Sequence, residues 1–215
     1  MQFLDLAATP SVPWKNGGGS TRELACWPPG AGMDNFAWRV SVATIARPGP
    51  FSAFPGVDRQ IMLLEGDGVQ LQAAAGQWKH ALTQRWEPFA FSGEEPVDCR
   101  MLGGVSTDFN LMLRRGEWSG SLQVLRDVPP AEGAAAGLCM VLQGTWRYED
   151  SDGRPARMLA AGQGLWWVNE GGEAAPSIAP VRGAEGAMSA DDAPVLAWVA
   201  SVSYTHLRAH ETPEH

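Results

Sequence analysis

The feature that most limits this chain is its punctuation. Apolar segments of strand length alternate at a period of two, and glycine or proline turns cut them before any helical stripe can run three turns. Phe36 to Ile45 (FAWRVSVATI) sets Phe36, Trp38, Val40 and Val42 on one face and Ala37, Arg39, Ser41 and Ala43 on the other. Valine and isoleucine add β-propensity to that alternation. RQIMLLE and VQLQA flank a Gly-Asp-Gly turn and read as a hairpin. WEPFAFSG, PVDCRML, DFNLMLRR, SLQVLR, LCMVLQG, TWRYE, GLWWVNE and VLAWVAS are further strand-length pieces. RPGPFSAFPG, rich in proline, reads as a loop, and the Ala-rich AEGAAAG is broken by glycines. The fold class is all-β.

A weak internal echo suggests two similar lobes. IMLLEGDG leads through a turn to PFAFSGEEP, and CMVLQGTW leads through an Ala-rich turn to GLWWVNEGGE. Both read strand, glycine turn, strand, turn, aromatic strand. Repeated hairpins of this kind build small jelly-roll barrels. The expected architecture is therefore tandem cupin-like (RmlC-like jelly roll) β-barrels in one chain, with a single sandwich as the alternative. The expected lobes are residues 1–116 and 117–202, with strands exchanged between them. Residues 203–215 (SYTHLRAHETPEH) lack the apolar alternation and carry three of the four histidines, so they read as a non-native tail.

Composition excludes several partners. The formal charge is −8 and the basic residues are scattered, whereas phosphate-backbone binding calls for a basic stripe, so nucleic acid is not expected. No apolar run approaches the ~18 residues of a membrane span, and MQFLDLAATP lacks a basic signal-peptide start. Cys26, Cys99 and Cys139 are odd in number and far apart, which suits reduced thiols and a cytoplasmic location. Homodimerisation stays open.

Four constellations bear on chemistry. In PWKNGGGSTRE, three glycines beside Lys15, Asn16 and Arg22 make either a tight turn anchored by Trp14 or a loop lining a pocket. The lysine precedes the glycines, which argues against a phosphate loop. In GPFSAFPGVDRQIMLLEG, the Asp58-Arg59 pair enters an apolar strand behind Phe51 and Phe54. A guanidinium there is costly unless paired or solvated, and its planar fork suits a carboxylate. An internal Asp–Arg bridge or an outward-facing arginine fits the spacing equally well. Imidazole-rich metal ligation is not expected, because the body holds only His80, itself read as exposed. Asp58, Glu65 and Asp108 are candidate acids or bases, but no nucleophile motif accompanies them. Trp38, Trp166 and Trp167 read as core.

PWKNGGGSTRE, FAWRVSVATIARPGPFSAFPGVDRQIMLLEG and DFNLMLRRG, in that order over Pro13 to Gly116, resemble the HutD/Ves family. The resemblance implies a tandem cupin-like barrel without the usual metal ligands and without a cofactor. It also implies a link to bacterial histidine utilisation, in which HutD is regarded as a governor that limits pathway expression by binding an intermediate. Carried over by motif, the ligand-contacting arginine falls on Arg59, with Lys15, Asn16, Arg39, Phe54, Asp58 and Asn110 as further site residues. The expected ligand is a small carboxylate such as urocanate, N-formylglutamate or formate. The competing expectations are a metal-independent isomerase or hydrolase using Asp58 or Glu65 as base, and a protein-interaction module.

Overall fold

A computed structural model describes residues 1–129, 134–149, 155–169, 175–182 and 193–203 of the chain. The tail histidines His206, His210 and His215, and all of 203–215 except the backbone of residue 203, lie outside the described residues. Eighteen strands run through the described part: β1 (Gln2–Asp5), β2 (Val12–Pro13), β3 (Gly19–Trp27), β4 (Trp38–Ile45), β5 (Gly49–Phe51), β6 (Val57–Glu65), β7 (Val69–Ala73), β8 (Lys79–Leu82), β9 (Phe89–Ser92), β10 (Val97–Met101), β11 (Ser106–Arg114), β12 (Trp118–Leu125), β13 (Ala136–Gln143), β14 (Thr145–Glu149), β15 (Arg157–Ala160), β16 (Gln163–Val168), β17 (Ser177–Pro180) and β18 (Val195–Ser203). No helix occurs among the described residues.

The chain divides into two compact units, one formed by Thr9–Ser119 and the other by Met1–Ala8 with Gly120–His215. In the first, a six-stranded sheet of order β2-β3-β4-β11-β6-β9 accompanies a four-stranded sheet of order β5-β10-β7-β8. In the second, the order is β1-β16-β13-β18-β12 in one sheet and β15-β14-β17 in the other. Every sheet is open, so the strand pairing gives sheet pairs rather than the closed barrels anticipated.

Two local readings change. RQIMLLE and VQLQA do not form a hairpin, because β6 pairs with β11 and β9 while β7 pairs with β10 and β8. The Gly-Asp-Gly turn instead carries the chain from one sheet to the other. Gly66 and Gly68 both adopt positive φ, and a Cβ on Gly68 would overlap the Leu82 carbonyl oxygen. RPGPFSAFPG is not wholly loop, since β5 pairs with β10. Pro50 is tolerated there because β5 is an edge strand.

The six-stranded sheet positions the site. Its face bearing Ile45, Ile61, Leu63 and Phe91 packs with Val69, Leu71, Leu82, Val97 and Cys99 of the smaller sheet. A second apolar cluster on the same face joins Phe36, Val57 and Met112, with Cys26 and Phe54 against it. The polar residues lie between these two clusters.

Candidate functional site

Antiparallel register explains which polar groups meet. Met112 of β11 lies opposite Arg39 of β4 and Arg59 of β6, and Asn110 lies opposite Ser41 and Ile61. Asp108 lies opposite Ala43 and Leu63. Alternation therefore puts Arg39, Ser41, Arg59, Asp108 and Asn110 on one face, the one shared with Ile61 and Leu63. All five are buried.

Arg59 is 8% exposed. One Nη2 donates to Asn110 Oδ1 at 3.1 Å, while the buried Nε has no acceptor. No carboxylate among the described residues forms an ion pair with it. Its guanidinium carbon lies 4.9 Å from the Phe91 ring centroid, 5.3 Å from that of Phe51 and 5.7 Å from that of Phe54. Such cation–π contacts offset part of the desolvation cost, each by about 0.5–2 kcal/mol. Burial, and secondarily the charge on Arg39, push Arg59 down to about 10, so it remains a cation at neutral pH.

Arg39 is differently placed. Its Nε donates to Glu23 Oε2 at 2.7 Å and its Nη1 to Ser41 Oγ at 3.2 Å. Glu23 lies directly opposite Ser41, in unbroken register with Gly19 and Thr21, and so shares this face; the bulge comes after it and sets Cys26 opposite Arg39.

Asp108 is fully buried, and neither carboxylate oxygen has a hydrogen-bond partner. Burial pushes its carboxyl up to about 7. Asn110, which accepts from Arg59, donates through Nδ2 to the backbone carbonyl of Asp108 at 3.4 Å and not to its carboxyl. The Cys99 thiol, pushed up to about 12 by burial and then by Asp108, is neutral.

Of the residues singled out from sequence, Arg39, Arg59 and Asn110 thus share one buried face, and Phe54 flanks Arg59. Lys15 and Asn16 are exposed, and Asn16 Oδ1 accepts from Gly18 N within its own turn. That turn is anchored by half-buried Trp14, and Gly19 packs so closely on Thr44 that a Cβ would overlap its carbonyl oxygen. Asp58 is also exposed and pairs with Arg115 at 2.7 Å instead of bridging to Arg59. Glu65 is exposed at the end of β6. His80 is half-buried rather than exposed, because its ring stacks on Phe89 at 3.8 Å. Trp38 and Trp167 are buried and Trp166 is half-buried. Ser41, Phe51, Phe91 and Glu23 join the site without having been singled out as ligand contacts. Ser41 was legible from the alternation with Arg39, whereas Glu23 depends on the pairing of β3 with β4.

The HutD family profile matches residues 6–182. The chain belongs to the HutD/Ves family. It is 38% identical over 168 residues to Protein Ves of Cronobacter sakazakii, covering 78% of this chain and 87% of that protein. The structure of HutD from Pseudomonas fluorescens SBW25, in a formate condition, superposes with a TM-score of 0.75 at 25% identity, covering 94% of this chain and 98% of that one. PA5104 of Pseudomonas aeruginosa PAO1, described as a conserved protein of unknown function, gives 0.77 at 29% identity with the same coverage. A cupin 2 conserved barrel domain protein from Leptotrichia buccalis, 9% identical, gives 0.55 over 94% of this chain and 96% of that one, which shows a cupin-like fold alone. Among the described residues of this HutD/Ves protein, no group of three or more His, Cys, Asp or Glu could hold a metal ion, and no helix is long and apolar enough to cross a membrane.

Proposed function

We propose that this HutD/Ves protein is a metal-free binding protein for a small carboxylate, which docks on Arg59. The observation that carries the reading is a buried guanidinium with no carboxylate partner among the described residues and an unused Nε–H donor. An unpaired buried charge costs several kcal/mol, and an incoming carboxylate would supply both the missing charge and the missing acceptor. A charge-assisted hydrogen bond is worth about 1.5–3 kcal/mol net. Phe51, Phe54 and Phe91 surround the guanidinium with apolar surface, which strengthens any charge-assisted bond made there.

Family membership supports a role related to histidine utilisation. The finer reading is that the protein limits pathway expression by binding an intermediate such as urocanate or N-formylglutamate, with formate as the smallest carboxylate of the set. The formate condition of the Pseudomonas fluorescens HutD structure agrees with trying formate first. In this reading the lobes 1–116 and 117–202 act as tandem cupin-like halves in a cytoplasmic protein, and the first holds the ligand.

A metal-independent isomerase or hydrolase is less well supported. Asp58 pairs with Arg115, and Glu65 is not among the buried groups around Arg59. Thermal shift decides the main point: formate, urocanate and N-formylglutamate should stabilise the wild type by mass action, and Arg59→Ala should abolish that response. An equal response in both proteins would place the interaction elsewhere.

A further inference from the structure

Arg39 and Arg59 flank Met112 in register across three adjacent strands. Both lie on the inner face and both are 8% exposed. The charge on Arg39 contributes to lowering Arg59, so the two guanidiniums lie close enough to feel each other. Only one of them has an anion among the described residues. Arg39 holds Glu23, and that carboxylate comes from the solvent side: the Glu23 side chain is 48% exposed, against 10% for Arg39. The Arg39 pair is Glu23's only ion pair among the described residues. Ser41 holds another edge of the same fork and keeps Arg39 in place.

We propose that Glu23 is a resident stand-in for a second ligand carboxylate, and that the site takes a small dicarboxylate with one end on Arg59 and the other on Arg39. This rests on the reading that Arg59 binds a carboxylate. On binding, Glu23 swings out to water while the ligand's carboxylate takes its place, so the ion pair at Arg39 is exchanged rather than lost. A half-exposed carboxylate regains hydration when it leaves, which makes the exchange inexpensive. Once the first carboxylate sits on Arg59, the second meets Arg39 at a high effective concentration. Asp108, also on this face, raises no opposing full charge below its pKa of about 7. Glu23 thereby sets specificity: a monocarboxylate uses Arg59 alone and leaves Glu23 seated.

The experiment is calorimetry with formate and with glutarate on the wild type, Glu23→Gln, Arg39→Met and Arg59→Met. The wild type should prefer glutarate. Glu23→Gln should tighten glutarate several-fold more than it tightens formate. Arg39→Met should erase the preference, a loss on the order of tenfold for glutarate. A Glu23→Gln protein whose two affinities change by the same factor, or an Arg39→Met protein that keeps its preference, overturns the proposal. Should Arg39→Met fail to fold, Glu23→Gln decides alone. If neither anion binds the wild type, the carboxylate reading itself is lost. If formate binds through Arg59 and glutarate gains nothing, only the second seat is lost.

Discussion

Both units pair a larger sheet with a smaller one, yet they fill the space between differently. In the unit completed by β1, the buried cluster is Trp146, Tyr148, Trp167 and Trp198 with Cys139, Val141, Leu159, Leu165, Ile178 and Leu196. Its orphaned polar atoms, Trp146 Nε1 and Ser201 Oγ, carry no charge. In the unit Thr9–Ser119, two guanidiniums, an amide and a carboxyl interrupt the apolar packing between two clusters. Aromatic filling maximises burial, whereas buried charge reduces it, so the interior of Thr9–Ser119 gives up stability that the aromatic one keeps.

Four measurements sharpen that contrast or break it. The largest effect is expected at Trp198, where Trp198→Ala should cost about 3–5 kcal/mol in urea unfolding by opening a cavity in the aromatic cluster. A loss below 1 kcal/mol would deny that cluster its structural role.

Next comes Asp108. Its folded carboxyl titrates near 7, above the unfolded value of about 3.9, so the folded state binds the extra proton between those limits. Stability from this group is full below about pH 4, falls as pH rises, and is gone above about pH 7, a change of a few kcal/mol. Asp108→Asn should flatten the profile of unfolding free energy from pH 4.5 to 7.5. Parallel profiles for the two proteins would show that the carboxyl is not the titrating group.

Arg59→Met should cost little stability, or raise it by about 1 kcal/mol, because an uncompensated buried cation is replaced by apolar volume. The same variant should lose its thermal response to formate. A strongly destabilised Arg59→Met would mean that the guanidinium is a structural element like Trp198. The smallest effect is expected at Asp58, whose partner Arg115 is exposed. Asp58→Asn should leave both the denaturation curve and the formate response within experimental error, and a lost response would bring Asp58 back to the ligand.

Much of this was legible in the chain. Alternation in FAWRVSVATI assigned Arg39 and Ser41 to one face, and three ordered motifs carried the family resemblance and with it Arg59, Phe54 and Asn110. The rest depended on pairings that local pattern does not encode. Asp58 and Arg59 are neighbours in sequence but project to opposite sides of β6, so their adjacency suggested a bridge that Arg115 makes instead. β6 and β7 look like a hairpin because each is apolar and the turn is rich in glycine, yet each finds partners in a different sheet. Glu23 escaped because its place beside Arg39 comes from the pairing of β3 with β4, which the local pattern does not show.

The pairing of β1 with β16 has a consequence for biosynthesis. Gln2–Asp5 is synthesised before the whole of Thr9–Ser119, and its partner Gln163–Trp166 after it. The unit Thr9–Ser119 is contiguous and can assemble as soon as Ser119 has cleared the exit tunnel, while the leading strand waits with an unpaired edge. The buried arginines can therefore be in place well before the other unit closes, and any change that keeps Gln2–Asp5 from pairing would burden the unit that finishes last.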